Sequence, residues 1–123
     1  MEDGMTKQFA VAVALAAIVA TPAVAQDGAV RTAHDAIVGG NYVKAEQLLT
    51  AERQIYPGSA EVLVNLAAVY AATGRPMQAA TLYRQILDSD AVLLDRGDRS
   101  TASSHRIAQA GLGRISAYQT AAR

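Results

Sequence analysis

Displaced by 34 positions, the chain falls on itself at residues that have mechanical uses. Ala33 meets Ala67, Gly40 meets Gly74 and Ala45 meets Ala79, while Leu48 meets Leu82 and Leu49 meets Tyr83. A fixed period of this length marks a stacked architecture, in which each unit is one supersecondary motif that buries its apolar face against its neighbours. A generic helical bundle has no need of glycine at the end of alternate helices, nor of alanine five residues after each glycine.

The second unit is the cleaner of the two. Ser59 is placed to cap a helix from about Ala60 to Thr73. Leu63, Leu66, Ala67 and Tyr70 fall on one face of it. Gly74 ends that helix, because glycine takes the left-handed conformation at little cost. Pro76 suits the first turn of the next helix, where its missing N–H is not needed. That helix presents Ala79, Leu82, Tyr83, Ile86 and Leu87 on one face and ends near Asp88-Ser89-Asp90. The first unit follows the same plan more weakly. One helix runs from about Ala29 to Val38 and stops at Gly39-Gly40. A second runs from about Tyr42 to Ile55 and stops at Pro57-Gly58. Ala45 and Ala79 are small where two helices joined by a tight turn must cross closely. An aromatic fraction of 5% agrees with closely packed helices better than with a sheet, since strands favour aromatic and β-branched residues.

The series Leu66, Ala67, Tyr70, Gly74, Ala79, Tyr83 and Ile86 resembles a tetratricopeptide repeat. The first unit matches it in register through Gly40, Ala45, Leu49 and Pro57. It departs at Thr32 and Ala36, where the family carries large apolar and aromatic residues, and at Glu52, where it carries a small apolar one. Ala91 replaces the closing proline of the second unit. The resemblance implies an all-α fold: repeats at 26–59 and 60–93, then a C-terminal capping helix, in a short right-handed solenoid. It also implies a concave groove lined by the first helix of each unit. Carried over residue by residue, that groove holds Val30, Arg31, His34, Val38, Glu61, Val64, Asn65, Ala68 and Ala72. Chaperone-binding members clamp a C-terminal carboxylate with lysine and asparagine. Val30, His34 and Ala68 stand at those positions here, which excludes that clamp.

The first 25 residues are a different material. Lys7 precedes an apolar run from Phe9 to Ala20, Thr21-Pro22 breaks it, and Ala23-Val24-Ala25 follows. A basic start, a short apolar core and a small-x-small end is the layout of a secretory signal peptide. Cleavage is expected between Ala25 and Gln26, leaving a domain at 26–123. Glu2 and Asp3 are unusual in such a leader, and a start at Met5 would remove them. An uncleaved anchor or a buried N-terminal helix are the other readings of this segment. The run is short for a membrane span, which needs ~20 apolar residues.

Beyond the repeats the pattern breaks. Residues 91–103, with Asp95-Arg96-Gly97-Asp98-Arg99-Ser100 at their centre, are polar and turn-rich and predict a loop. A capping helix is expected over 104–119, with Ile107, Gly111, Ile115 and Tyr118 on one face. Gly111 and Gly113 weaken that helix by ~2 kcal/mol relative to alanine. Close approach of a neighbouring helix is one reason to keep them; a marginally stable helix is another.

Few residues in the chain carry a pattern that points to chemistry. His34 and His105 are the only histidines, neither is spaced for a metal, and cysteine is absent. Ser103 and Ser104 lack a nucleophile-elbow context. The aspartates from Asp88 to Asp98 do not fit a calcium loop, which needs a final glutamate. Basic and acidic residues balance at 11 each, so no net field draws the chain to nucleic acid. The expected function is therefore non-enzymatic, without cofactor or metal: a protein-binding module in the periplasm or outside the cell, not inserted in a membrane once its leader is removed. The alternative is a self-associating structural subunit of an envelope or secretion complex, since fewer than three full repeats make a marginal stack.

Overall fold

The computed structural model describes residues 22–96 and 98–122. Five helices follow in order: α1 (Pro22–Val38), α2 (Tyr42–Ile55), α3 (Ala60–Ala72), α4 (Pro76–Leu87) and α5 (Ser104–Ala121). Between α4 and α5 lie two short strands, β1 (Leu93–Asp95) and β2 (Thr101–Ser103). The helices form an all-α repeat solenoid. Most of the expected leader lies outside the described residues; α1 begins at Pro22, earlier than the expected Ala29, and so crosses the expected cleavage point.

The 34-residue period is visible in the backbone hydrogen bonds. At the end of α1, the Asn41 N–H donates to the Ala36 carbonyl at 2.8 Å around Gly40, whose φ is +78°. At the end of α3, the Arg75 N–H donates to the Tyr70 carbonyl at 2.8 Å around Gly74, whose φ is +76°. Both are turns in which a left-handed residue lets the chain reach back to an unpaired carbonyl, and any side chain there would be strained. The second helix of each unit then starts differently. Asn41 caps α2 through its side chain, which accepts from the Lys44 N–H. α4 relies on Pro76 in its first turn. Ser59 caps α3 as expected.

The core runs along the stack. Ala45, Leu49, Leu66, Ala67, Ala79, Tyr83 and Ile86 are all buried, and Ala45 and Ala79 are completely so. Tyr70 is only half-buried: the Arg75 guanidinium lies 4.6 Å from its ring centroid. Arg75 also forms a two-pronged ion pair with Glu46 of α2, which ties the turn of the second unit to the first. That hydrogen bond holds the Glu46 carboxyl below its ordinary value of 4.5, since a donated charge-assisted bond favours the ionised form. The folded value lies below the unfolded one. The pair's contribution is therefore complete above about pH 4.5 and lost as pH falls through the folded value. Glu46→Gln is expected to narrow the stability difference between neutral and acid pH, read by urea denaturation on both sides of that range. An unchanged pH dependence would show that the pair does not form in solution.

Glu52 departs from the repeat pattern with a physical consequence. One carboxylate oxygen, Oε2, is buried with no hydrogen-bond partner. An unsatisfied buried polar atom costs ~1–3 kcal/mol. Glu52→Ala is therefore expected to raise the unfolding free energy by about 1 kcal/mol, after some loss of packing. Chemical denaturation measures it, and a net loss of stability would mean that the carboxylate is satisfied in solution.

Within 91–103, expected as a loop, β1 and β2 instead pair as an antiparallel hairpin, Leu93 with Ser103, Leu94 with Ala102 and Asp95 with Thr101. Buried Ser104 closes its base: the Ser104 N–H donates to the Val92 carbonyl at 2.8 Å, and the Val92 N–H donates to Ser104 Oγ at 3.0 Å. At its tip, Asp98 Oδ1 accepts from both the N–H and the hydroxyl of Ser100.

α5 packs on both α3 and α4. Its N-cap, Ser103, stands 44 residues after Ser59, the N-cap of α3, ten more than the period. Gly111 follows Ala67 by the same interval. α5 thus takes the place of a third unit's first helix, delayed by the hairpin. Its buried face is Ser104, Ala108, Gly111 and Ile115, not the expected set through Tyr118, which is 71% exposed. The buried residues recur every three to four positions from Ser104, and Tyr118 lies about one turn past the last of them, Ile115.

Candidate functional site

The first helices, α1 and α3, flank a groove of about 600 Å³. From α1 it is lined by Val30, Arg31 and His34, and from α3 by Glu61, Val64 and Asn65. Spacings of three and four place these side chains on one face of each helix. Val30 is itself 2% exposed, so it forms part of the floor and the core rather than an open wall. Val38, Ala68 and Ala72 lie on the same two helices but do not line this cavity. Val38 is 75% exposed beyond the end of the cleft.

The remaining wall comes from residues that sequence reasoning missed. Leu93, Leu94, Asp95 and Arg96 of the hairpin, and Ile107 of α5, close the side away from α1. Ala91, Val92, Leu93 and Leu94 form an apolar run of four ahead of the polar turn, without the alternation and the β-branched or aromatic enrichment that mark a strand. The usable signal was the ten-residue delay between Ser59 and Ser103, which marks an insertion at one defined place in a repeat.

The groove is chemically mixed. Val64, Leu94 and Ile107 provide apolar surface; Arg31, His34, Glu61, Asn65, Asp95 and Arg96 provide polar groups of both signs. Asn65 donates one N–H back to the Glu61 carbonyl at 2.9 Å. That bond orients the carboxamide and leaves its oxygen and second N–H for a ligand, the donor–acceptor pair that matches a peptide group. His105 does not face the groove; its Nε2 lies 2.6 Å from the Ser89 carbonyl and ties the start of α5 to the end of α4. No group of three metal-ligating side chains comes together among the described residues. None of the described helices is long and apolar enough to cross a membrane.

α2, α3 and α4 follow one another through short turns, with the small Ala45 and Ala79 buried and a left-handed glycine between α3 and α4. Residues 39–92 match the tetratricopeptide repeat. The match starts at the turn before α2 and ends at Val92, where the hairpin begins. Tetratricopeptide repeats generally serve protein–protein interaction and are generally non-catalytic. No curated protein and no solved structure matches the chain.

Proposed function

We propose that the chain is an exported, non-enzymatic binding module that holds a segment of a partner protein in the groove between α1, α3 and the hairpin. One observation carries this reading. The groove joins apolar surface to a carboxamide with donor and acceptor unspent, on rigid helices rather than on loops. Tetratricopeptide repeats generally use such surfaces for protein partners. Export rests on the leader pattern of residues 1–25, with the envelope as the expected location.

Photocrosslinking from His34 and Asn65 in the native host, followed by mass spectrometry, tests both parts. A single envelope protein captured from both positions is the expected result, on protein whose N-terminus is Gln26. Capture from neither position would remove the groove from the proposal, and an uncut N-terminus in the cytoplasm would remove export.

Self-association is the second reading, favoured by one observation. Met77 and Tyr118, 60% and 71% exposed, leave apolar surface on α4 and α5. The mass in solution should then rise with concentration; a constant monomer mass excludes it.

A further inference from the structure

We infer that the arginine-lined pocket between the hairpin and α5 receives the acidic side chains of a protein segment whose apolar residues lie in the groove. This rests on the groove reading above and adds the chemistry of the ligand to it. The pocket has a volume of about 250 Å³ and is walled by Arg96 and Thr101 on the hairpin side and by Arg106, Ala110 and Arg114 of α5. Arg96 and Ile107 line both this pocket and the groove, so the two cavities adjoin.

Its charge is largely unspent. Arg96 has Asp98 nearby, whose carboxyl is held low first by hydrogen bonds from Ser100 and more weakly by Arg96. Arg106 and Arg114 form no ion pair among the described residues. Arg114 hydrogen-bonds to the phenol of Tyr83, a neutral partner that burial holds above its ordinary range against the pull of the guanidinium, so the arginine's charge is not neutralised. Guanidinium groups present paired donors that match a carboxylate two at a time.

The spacing decides what kind of acid fits. Arg106, Ala110 and Arg114 follow one another at intervals of four along α5, with the small Ala110 leaving room between the two cations. Two arginines eight residues apart are separated by about 12 Å along the helix axis. An extended chain covers that distance in about four residues. The arrangement therefore suits acidic side chains spaced along an extended segment better than one small oxyanion. Val64, Leu94 and Ile107 call for apolar residues in the same segment, one cavity over.

The test is a nuclear magnetic resonance titration of the isotope-labelled protein with three probes. These are a short peptide of alternating leucine and glutamate, its leucine–glutamine counterpart, and inorganic phosphate. The glutamate peptide should shift signals at both Asn65 and the α5 arginines. The double variant R106Q/R114Q should weaken its binding about tenfold or more, the effect of losing one charge-assisted pair. Both arginines are exposed, and circular dichroism checks that the variant is folded. Equal binding of the two peptides, unaffected by the double variant, would overturn the inference while leaving the groove reading intact. Shifts confined to the arginine pocket, with none at Asn65, would count against both. Phosphate competing as well as the peptide would reduce the pocket to a small-anion site and overturn the assignment to a protein segment. Binding by neither peptide would overturn it outright.

Discussion

Leu66→Ala is expected to lower the unfolding free energy by about 2–5 kcal/mol. Leu66 is 1% exposed in the middle of α3, and α3 packs against every other helix of the stack. Truncation removes buried methyl groups and leaves a cavity where backbones on several sides hinder collapse. A domain of this size is stable by only ~5–15 kcal/mol, so the variant loses a large share of the total. Because one helix joins all the others, unfolding should remain a single transition in urea, with a lower midpoint and an unchanged slope. A loss confined to one unit, seen as a second transition, would show that the stack behaves as separable repeats.

Gly111→Ala is the second large effect, and its sign opposes simple helix propensity. Alanine should favour an exposed helix by ~1 kcal/mol over glycine. At Gly111, however, an added Cβ would lie 2.3 Å from Cζ of Tyr83 and 2.4 Å from Cε2. The ring is buried between α4 and α5, so either the ring or the helix must shift. Overpacking of this kind costs ~1–3 kcal/mol, with a fall in Tm of about 5–20 °C. Gly113, two residues on, has nothing within 4 Å of such an atom, and Gly113→Ala should stabilise by up to about 1 kcal/mol. A double-mutant cycle with Tyr83→Leu provides the check: the smaller side chain should absorb most of the Gly111→Ala loss. Additive effects would place α5 away from Tyr83.

Much of the fold was legible because its determinants are local. Ser59, Gly40, Gly74 and Pro76 act on the backbone within one turn, and the helix ends they imply match α2, α3 and α4 closely. Half of the groove was legible too. Arg31 and His34, like Val64 and Asn65, share a helix face by spacing alone, and the period places the two helices side by side. The hairpin was not legible. Its strands are three residues each, each pairs only with the other, and the Ser104 bonds close its base. Strand pairing across a turn is non-local, and runs this short have no periodicity to read.

By itself, the sequence determined that the chain is a helical stack with a 34-residue period, where the helices of its two units end, and most of the side chains of α3 and α4 that face inward. Those follow from capping chemistry, backbone conformation and the helical repeat, all local effects. Only the tertiary structure decided that Gly111 is a seat for the Tyr83 ring, that Glu52 buries an unpaired oxygen, and that the hairpin walls the groove and brings Arg96 beside Arg106. Each depends on how far apart two elements come to rest. That distance is set by the packing of all the side chains between them, not by any one segment of chain.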